Sequence, residues 1–411
     1  MSLHLTKPIH VFTVSCRALS VCVAALLAGC GGSQPQLSVS PAGFASQPWS
    51  ARQAYNILHK FGGAGDGWYP SAALINVKGT LYGTTAKGGS HNAGTVFSIT
   101  KSGGETVLHS FGGRNDGVQP FAPLINVNGT LYGTASAGGA HEAGTVFSIT
   151  PAGNEKVLYS FGTSILDGAV PYAGLIDVKG MLYGTTSQGG EYDVCLGRLS
   201  CGTVFSITTS GTERVLYSFG RQTDDGFYPV ASLVQFHGAL YGTTSQGGTY
   251  GRGTVFSVGT FGGGGVVYSF GANHFFDGTN PSSALVKVNG TLYGTTVNGG
   301  AYDDSGTVFS ITKGGREKVI HSFNGSGGSW PYAGLSDVKG TLYGTTSQGG
   351  VNNVGTAFSI TTRGKETVLH SFGDGSGKHP VAGLLELGGT LYGTTYGVTA
   401  HRSGNVFSLS P

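Results

Sequence analysis

Charged side chains are scarce in this chain of 411 residues, at 10% of the total, against about 25% in ordinary globular proteins. The 23 Lys and Arg and 20 Asp and Glu leave a net charge of +3. They form no basic stripe, which removes the electrostatic footprint a nucleic-acid binder needs. Cysteine is also scarce. Of the five, Cys16, Cys22 and Cys30 fall in the first thirty residues, leaving Cys195 and Cys201. No His accompanies that pair, so a zinc site is not indicated, and no other cofactor motif is present. Sustained helical spacing is missing beyond the N-terminal stretch, which excludes a helical fold. Also missing are a Gly-x-Ser-x-Gly elbow, a metal-spaced His cluster, a P-loop, a dinucleotide fingerprint and the Ser-x-Asp-x-Gly-x-Thr-Trp boxes of propeller sialidases. Catalysis therefore has no positive support in the sequence.

What the chain has is glycine, 75 times, and repetition. Leu81-Tyr82-Gly83-Thr84-Thr85 returns around Tyr132, Tyr183, Tyr241, Tyr293, Tyr343 and Tyr392, seven copies about fifty residues apart. A period of that size signals a repeat architecture. In the second copy, four runs rich in Val, Ile, Tyr, Phe and Thr read as strands: Ala122 to Val127, Thr130 to Ala135, Gly144 to Thr150 and Glu155 to Phe161. Gly turns separate them. Four antiparallel strands per unit, apolar on both faces, describe the blade of an all-β, seven-bladed β-propeller. A parallel β-helix and an open solenoid are the competing architectures. If the strands are lettered A to D within a unit, the domain opens on a D-type strand, Ile57 to Phe61. It ends on a C-type strand, Val406 to Leu409. The first strand is therefore expected to complete the last blade and close the ring, leaving no exposed edge.

The chain begins with a targeting segment, residues 1–29, in which Lys7 and Arg17 precede the apolar run Ala18 to Ala28. That run is too short to span a bilayer comfortably. Leu27-Ala28-Gly29-Cys30 resembles the bacterial lipobox, which implies lipidation at Cys30. The alternative is an ordinary secretory signal, and either reading exports the protein. Residues 30–50, rich in Ser, Gln, Pro and Gly, read as a flexible tether, and 51–411 as the propeller. In an oxidising compartment Cys195 and Cys201, which bracket a five-residue insertion, are expected to form a loop-stapling disulfide.

The L-Y-G-T-T, G-T-V-F-S-I and V-L-H-S-F…D-G…P blocks resemble the GloVer-type tandem repeat of bacterial surface proteins with varied anchors, over residues 55 to 409. The resemblance implies an exported, anchored, envelope-located repeat protein and carries no catalytic residue onto this chain.

Short, uniform A–B and C–D turns alternate with longer, varied D–A and B–C loops, which alternation places together on one face. Varied loops on a rigid scaffold are where binding usually sits. The D–A loops carry Trp68, Tyr69, Phe121, Tyr172, Phe227, Tyr228, Phe275, Phe276, Trp330 and Tyr332. The B–C loops carry His91, His141, Tyr192, Tyr250 and Tyr302, with Asn352 and His401 in the remaining blades. Amphipathic rings suit sugar or peptide ligands, although those beside each Pro could instead wedge between blades. Asp66, Asp116, Asp167, Asp225 and Asp277, each before Gly, read as turn formers and not as calcium ligands. His59, His109, His321 and His370 alternate with Tyr159, Tyr217 and Tyr268 and read as outer-strand packing. The sequence thus favours a monomeric binding propeller for carbohydrate or protein, over a structural or adhesive surface protein and over a polysaccharide lyase or hydrolase.

Overall fold

The computed structural model describes residues 54–192, 201–273, 276–302, 304–397 and 404–411. The targeting segment, the tether, Cys30, Cys195, Phe275, Asp303 and His401 lie outside them. The described chain forms seven four-stranded antiparallel sheets. In blade 1 the strands are A (Ile75–Val77), B (Thr80–Thr85), C (Thr95–Ile99) and D (Glu105–Ser110). Blades 2 to 6 repeat the order over 125–160, 176–218, 234–269, 286–322 and 336–371. Blade 7 takes strands A to C from Leu385–Leu387, Thr390–Thr395 and Asn405–Leu409, and its strand D from Tyr55–Lys60. Ile57 pairs with Phe407 and Lys60 with Asn405, so head and tail close the ring as expected.

Strand A is shorter than the sequence suggested. Ala122 to Leu124 lie outside the ladder, and the Ala122 carbonyl there accepts a hydrogen bond from Thr84 of the preceding blade. The same bond recurs through Thr134, Thr243, Thr295 and Thr345 and ends with Thr394 donating to Ala72, while Thr185 donates instead to the Pro229 carbonyl, two residues earlier in its loop. Each A–B turn is a two-residue pair such as Asn128-Gly129, with both φ positive, the geometry that matches strand twist in a tight hairpin.

The core lies between blades, not within them. At the seam of blades 1 and 2, Val77, Tyr82, Val96 and Phe111 meet Leu124, Leu131, Phe147 and Ile149. Six more clusters of the same kind fill the other seams, including Phe61, Leu74, Leu81 and Phe97 with Tyr392 and Val406 between blades 7 and 1. Each fully buried Phe, Leu or Val is worth about 1.5–3 kcal/mol, and none is realised by a lone blade. At the outer strand, every D strand bulges by one residue against its C strand, as between Ile57 and His59, which redirects the following side chain.

Candidate binding face

The D–A and B–C loops share one face and are stitched together there. Two-residue strands join them in blades 1 to 4, as Gly67–Trp68 with Lys87–Gly88. Single bridges, Thr279 to Asn298 and Ser329 to Gln348, do so in blades 5 and 6.

The residue before each D–A proline organises this face. Tyr69, Gln119, Val170, Tyr228, Asn280, Trp330 and His379 all have φ between 53° and 62°. The position works as a clamp. Gln119 donates its N–H to the Ala93 carbonyl of one blade (2.8 Å) and accepts at its own carbonyl from Ser136 N–H of the next (3.1 Å). Val170, Tyr228, Asn280, Trp330 and His379 make the same pair of bonds. The prolines that follow are buried, whereas the seven side chains before them remain accessible.

Inward of the clamp, the residues after the prolines surround the axis: Ser71, Phe121, Tyr172, Val230, Ser282, Tyr332 and Val381. They bound a cavity of about 290 Å³ floored by Ala, Gly, Ser and Leu. Phe121 and Tyr172 lie 5.5 Å apart. Among the described residues no carboxylate, His, Lys or Arg lines it, and the lining offers apolar surface with two phenol groups. A larger cleft of about 550 Å³ opens between blades 4 and 5, lined by Arg252, Phe276, Asn280, Asn298 and Asp304. There the Asn280 amide donates to Asn298 Oδ1 (3.0 Å) and the Asn298 amide to Asp304 Oδ2 (3.1 Å).

The aromatic residues singled out in the sequence divide by location. Tyr250, Tyr302 and Trp330 are exposed, at 52%, 55% and 37%. His91 and His141 are also exposed, each in its own blade. Tyr192 packs against the core of blades 3 and 4, as Tyr228 does, while Phe227 is part of that core. Trp68 is half-buried and meets Tyr69 edge-on, and Tyr69 in turn stacks on Tyr396. Among the described residues these loop side chains therefore form local patches. The Cys201 sulfur is buried 3.2 Å from the Tyr192 carbonyl, and its pairing with Cys195 stays a proposal.

The loop Asp residues do cap turns, and they do more. Asp66 Oδ1 accepts from Gly67 N–H, and its Oδ2 accepts from Gly62 N–H and from His59 Nε2 at 3.0 Å. Asp116 is held the same way by His109, and Asp167, Asp225 and Asp277 by the hydroxyls of Tyr159, Tyr217 and Tyr268. The interchangeable His and Tyr of strand D are thus latches on the following Asp, a role the packing reading had not included. A Glu at the start of the next D strand adds to each latch except that of Asp225. The resulting sets His59, Asp66, Glu105 and His109, Asp116, Glu155 are, among the described residues, those whose ligand atoms could hold a metal ion. As built, each is occupied by its own hydrogen bond from His to Asp.

The electrostatics follow from this crowding. His59 is raised above its usual value by its hydrogen bond to Asp66. Burial opposes this at His109, where the bond and charge of Asp116 prevail. Burial, then the facing Asp, lifts Glu155 to about 7 and Glu213 and Glu317 to about 8. His321 and His370, which have no following Asp latch, are lowered by burial. The Glu partners had no local signal in the sequence, and the clamp residues had one, their fixed place before Pro.

Two stretches, residues 47–199 and 196–407, match the model of the Gloeobacter/Verrucomicrobia repeat. The chain belongs to the Gloeobacter/Verrucomicrobia repeat family. No curated protein matches this repeat protein. Solved structures similar to it include a puromycin-hydrolysing peptidase of Mycobacterium tuberculosis, at 11% identity and a TM-score of 0.50 over 79% of this chain and 49% of that one. The repeat chain thus spans about half the length of that peptidase. Another is a protein provisionally assigned as a gluconolactonase, at 11% identity and a TM-score of 0.44 over 88% and 93%. At such identities the likeness to the peptidase extends to the fold alone, and the second bears on nothing further.

Proposed function

We propose that this repeat protein is an exported, lipid-anchored, monomeric propeller of the bacterial cell envelope that binds carbohydrate through its varied-loop face. One observation carries the reading. The clamp position requires a left-handed backbone, which glycine adopts without strain, and no blade places glycine there. The seven positions hold six residue types, including β-branched Val170, and accept a local cost of roughly 1–3 kcal/mol each. Tyr69, Tyr228, Asn280 and His379 also pack or hydrogen-bond within the propeller, but Trp330 is 37% exposed, and so large a ring retained on an accessible face points to a ligand. The amide chain of Asn280 and Asn298 beside Phe276 supports a sugar, since amides match paired hydroxyls and an aromatic side chain offers apolar surface to the sugar ring.

A glycan array is the test. Wild-type protein is expected to bind a subset of glycans, with at least tenfold loss in the Trp330→Ala and Tyr302→Ala variants and unchanged melting. A blank array, or binding indifferent to both substitutions, would sink the reading and favour a structural surface protein. The anchor at Cys30 and the disulfide between Cys195 and Cys201 belong to the same proposal. Intact-mass measurement of the mature protein checks both, as an acylated N-terminal Cys and the loss of two hydrogens.

A further inference from the structure

Seven repeats in one chain provide an internal standard, and blade 7 departs from it at three positions that converge. Strand D ends in Ser before its Phe in six blades, at Ser110, Ser160, Ser218, Ser269, Ser322 and Ser371, but in Lys60 here. Strand C begins with Thr in the other six blades and with Asn405 here. The residue before the clamp is uncharged in six loops and is Lys378 here. All three line one cavity of about 280 Å³ beneath the glycine-rich loop 373–377.

The departures leave polar groups unsatisfied. In blades 1, 3, 4, 5 and 6 the paired Thr residues of strands B and C share a hydroxyl–hydroxyl bond of 2.8 Å. In blade 7 the same pair is Thr395 and Asn405. Thr395 Oγ1 and Asn405 Oδ1 are buried without hydrogen-bond partners among the described residues, on residues exposed by 0% and 5%. The Asn405 amide nitrogen donates to the Ser376 carbonyl at 3.3 Å, which fixes the acceptor as its free end. Blade 2 also orphans a hydroxyl, Thr145, but there the partner is merely deleted to Ala135. Blade 7 instead puts a longer amide in place of a hydroxyl and two lysines beside it. Among the described residues Lys378 pairs with Asp374 at 3.1 Å, a carboxylate 99% exposed that lines the same cavity.

We infer that this cavity is a binding site for a hexuronate, a sugar ring carrying a carboxylate. The chemistry narrows the class. Lys60 and Lys378 against the one carboxylate of Asp374 leave the lining with an excess positive charge, which calls for an anion, while a buried carbonyl acceptor calls for a hydroxyl donor. A neutral sugar would leave Lys60 unmatched, and phosphate, though its protonated forms can donate a hydroxyl, offers no ring to fill the cavity. The volume lies at the small end of ligand pockets and suits a single ring. Lys60 belongs to the first strand and Asn405 to the last, so the site exists only in the closed ring, and its ligand should strengthen closure.

The inference rests on the carbohydrate reading of the face and names one ligand class for it. Titration calorimetry with D-glucuronate, D-galacturonate, D-glucose and inorganic phosphate tests it, on wild type and on Asn405→Thr and Lys378→Ala. Asn405→Thr restores the residue of the other six blades, so it should melt at a higher temperature and still lose uronate binding tenfold or more. Lys378→Ala should weaken uronate similarly, and glucose and phosphate should bind at least tenfold more weakly to wild type. No uronate binding by wild type, equal binding of phosphate, or uronate binding unaffected by Asn405→Thr would each overturn the inference. If array binding still depends on Trp330 while uronate fails, the wider carbohydrate reading survives and only this site is lost.

Discussion

Gly83 and Gly129 look alike in the sequence, each a glycine amid strand residues, yet they exist for opposite reasons. A Cβ on Gly129 would meet nothing, but φ there is +89°. A Cβ on Gly83, whose φ is ordinary, would lie 2.6 Å from Phe97 Cζ and 2.8 Å from Leu74 Cδ2. The glycine of each L-Y-G-T-T is therefore the hollow into which the strand-C Phe fits, and it recurs with the same neighbours at Gly133, Gly184, Gly242, Gly294, Gly344 and Gly393. Gly83→Ala is expected to cost about 1–3 kcal/mol through overpacking, read as a lower denaturant midpoint with an unchanged slope. An unaltered midpoint would show that the Phe can retreat and that the hollow is not required. The motif was legible as a strand, but the reason for its glycine was not, because the residue that imposes it lies fourteen positions away on another strand.

Between elements, the outer seams carry carboxylates that prefer to be neutral. Glu213 faces Asp167 and Tyr159, and Glu317 faces Asp277 and Tyr268. With both Glu raised from about 4.5 to about 8 in the fold, the folded state binds protons more tightly than the unfolded chain. That stabilisation is complete below the unfolded value and is lost as pH rises through about 8. The raised His59 and His109 act in the same direction, and the lowered His321 and His370 oppose it. Melting temperature is therefore expected to fall between pH 5 and pH 8.5, and the Glu213→Gln, Glu317→Gln double variant to flatten that fall. A double variant with the full wild-type slope would show that these groups titrate normally. The Asp-Gly half of each seam could be read locally as turn chemistry. The Glu half could not, since it enters from the neighbouring blade and only a folded ring sets the two side by side.

At the scale of the ring, the order of strands was legible because the chain starts in one phase of its repeat and ends in another. Less legible was how much the joining strand touches. Tyr55 packs into the seam between blades 6 and 7 and stacks on His370 and Phe407, while Leu58 and Phe61 enter the seam between blades 7 and 1. One six-residue strand thus seals two interfaces and covers the edge of Asn405–Leu409. Its loss forfeits several side chains at about 1.5–3 kcal/mol each, comparable with the ~5–15 kcal/mol that holds a typical domain together. Deleting residues 54–61 is expected to abolish the cooperative transition or lower its midpoint by on the order of ten degrees. Deleting 31–50, the proposed tether, should leave it unchanged. A synthetic peptide of residues 54–61 added to the truncated protein should restore the transition, because what it supplies is an interface and not a covalent link. If the truncated ring melts like its parent, the seams on either side of blade 7 hold without the strand, and closure is a consequence of the fold and not a cause of its stability.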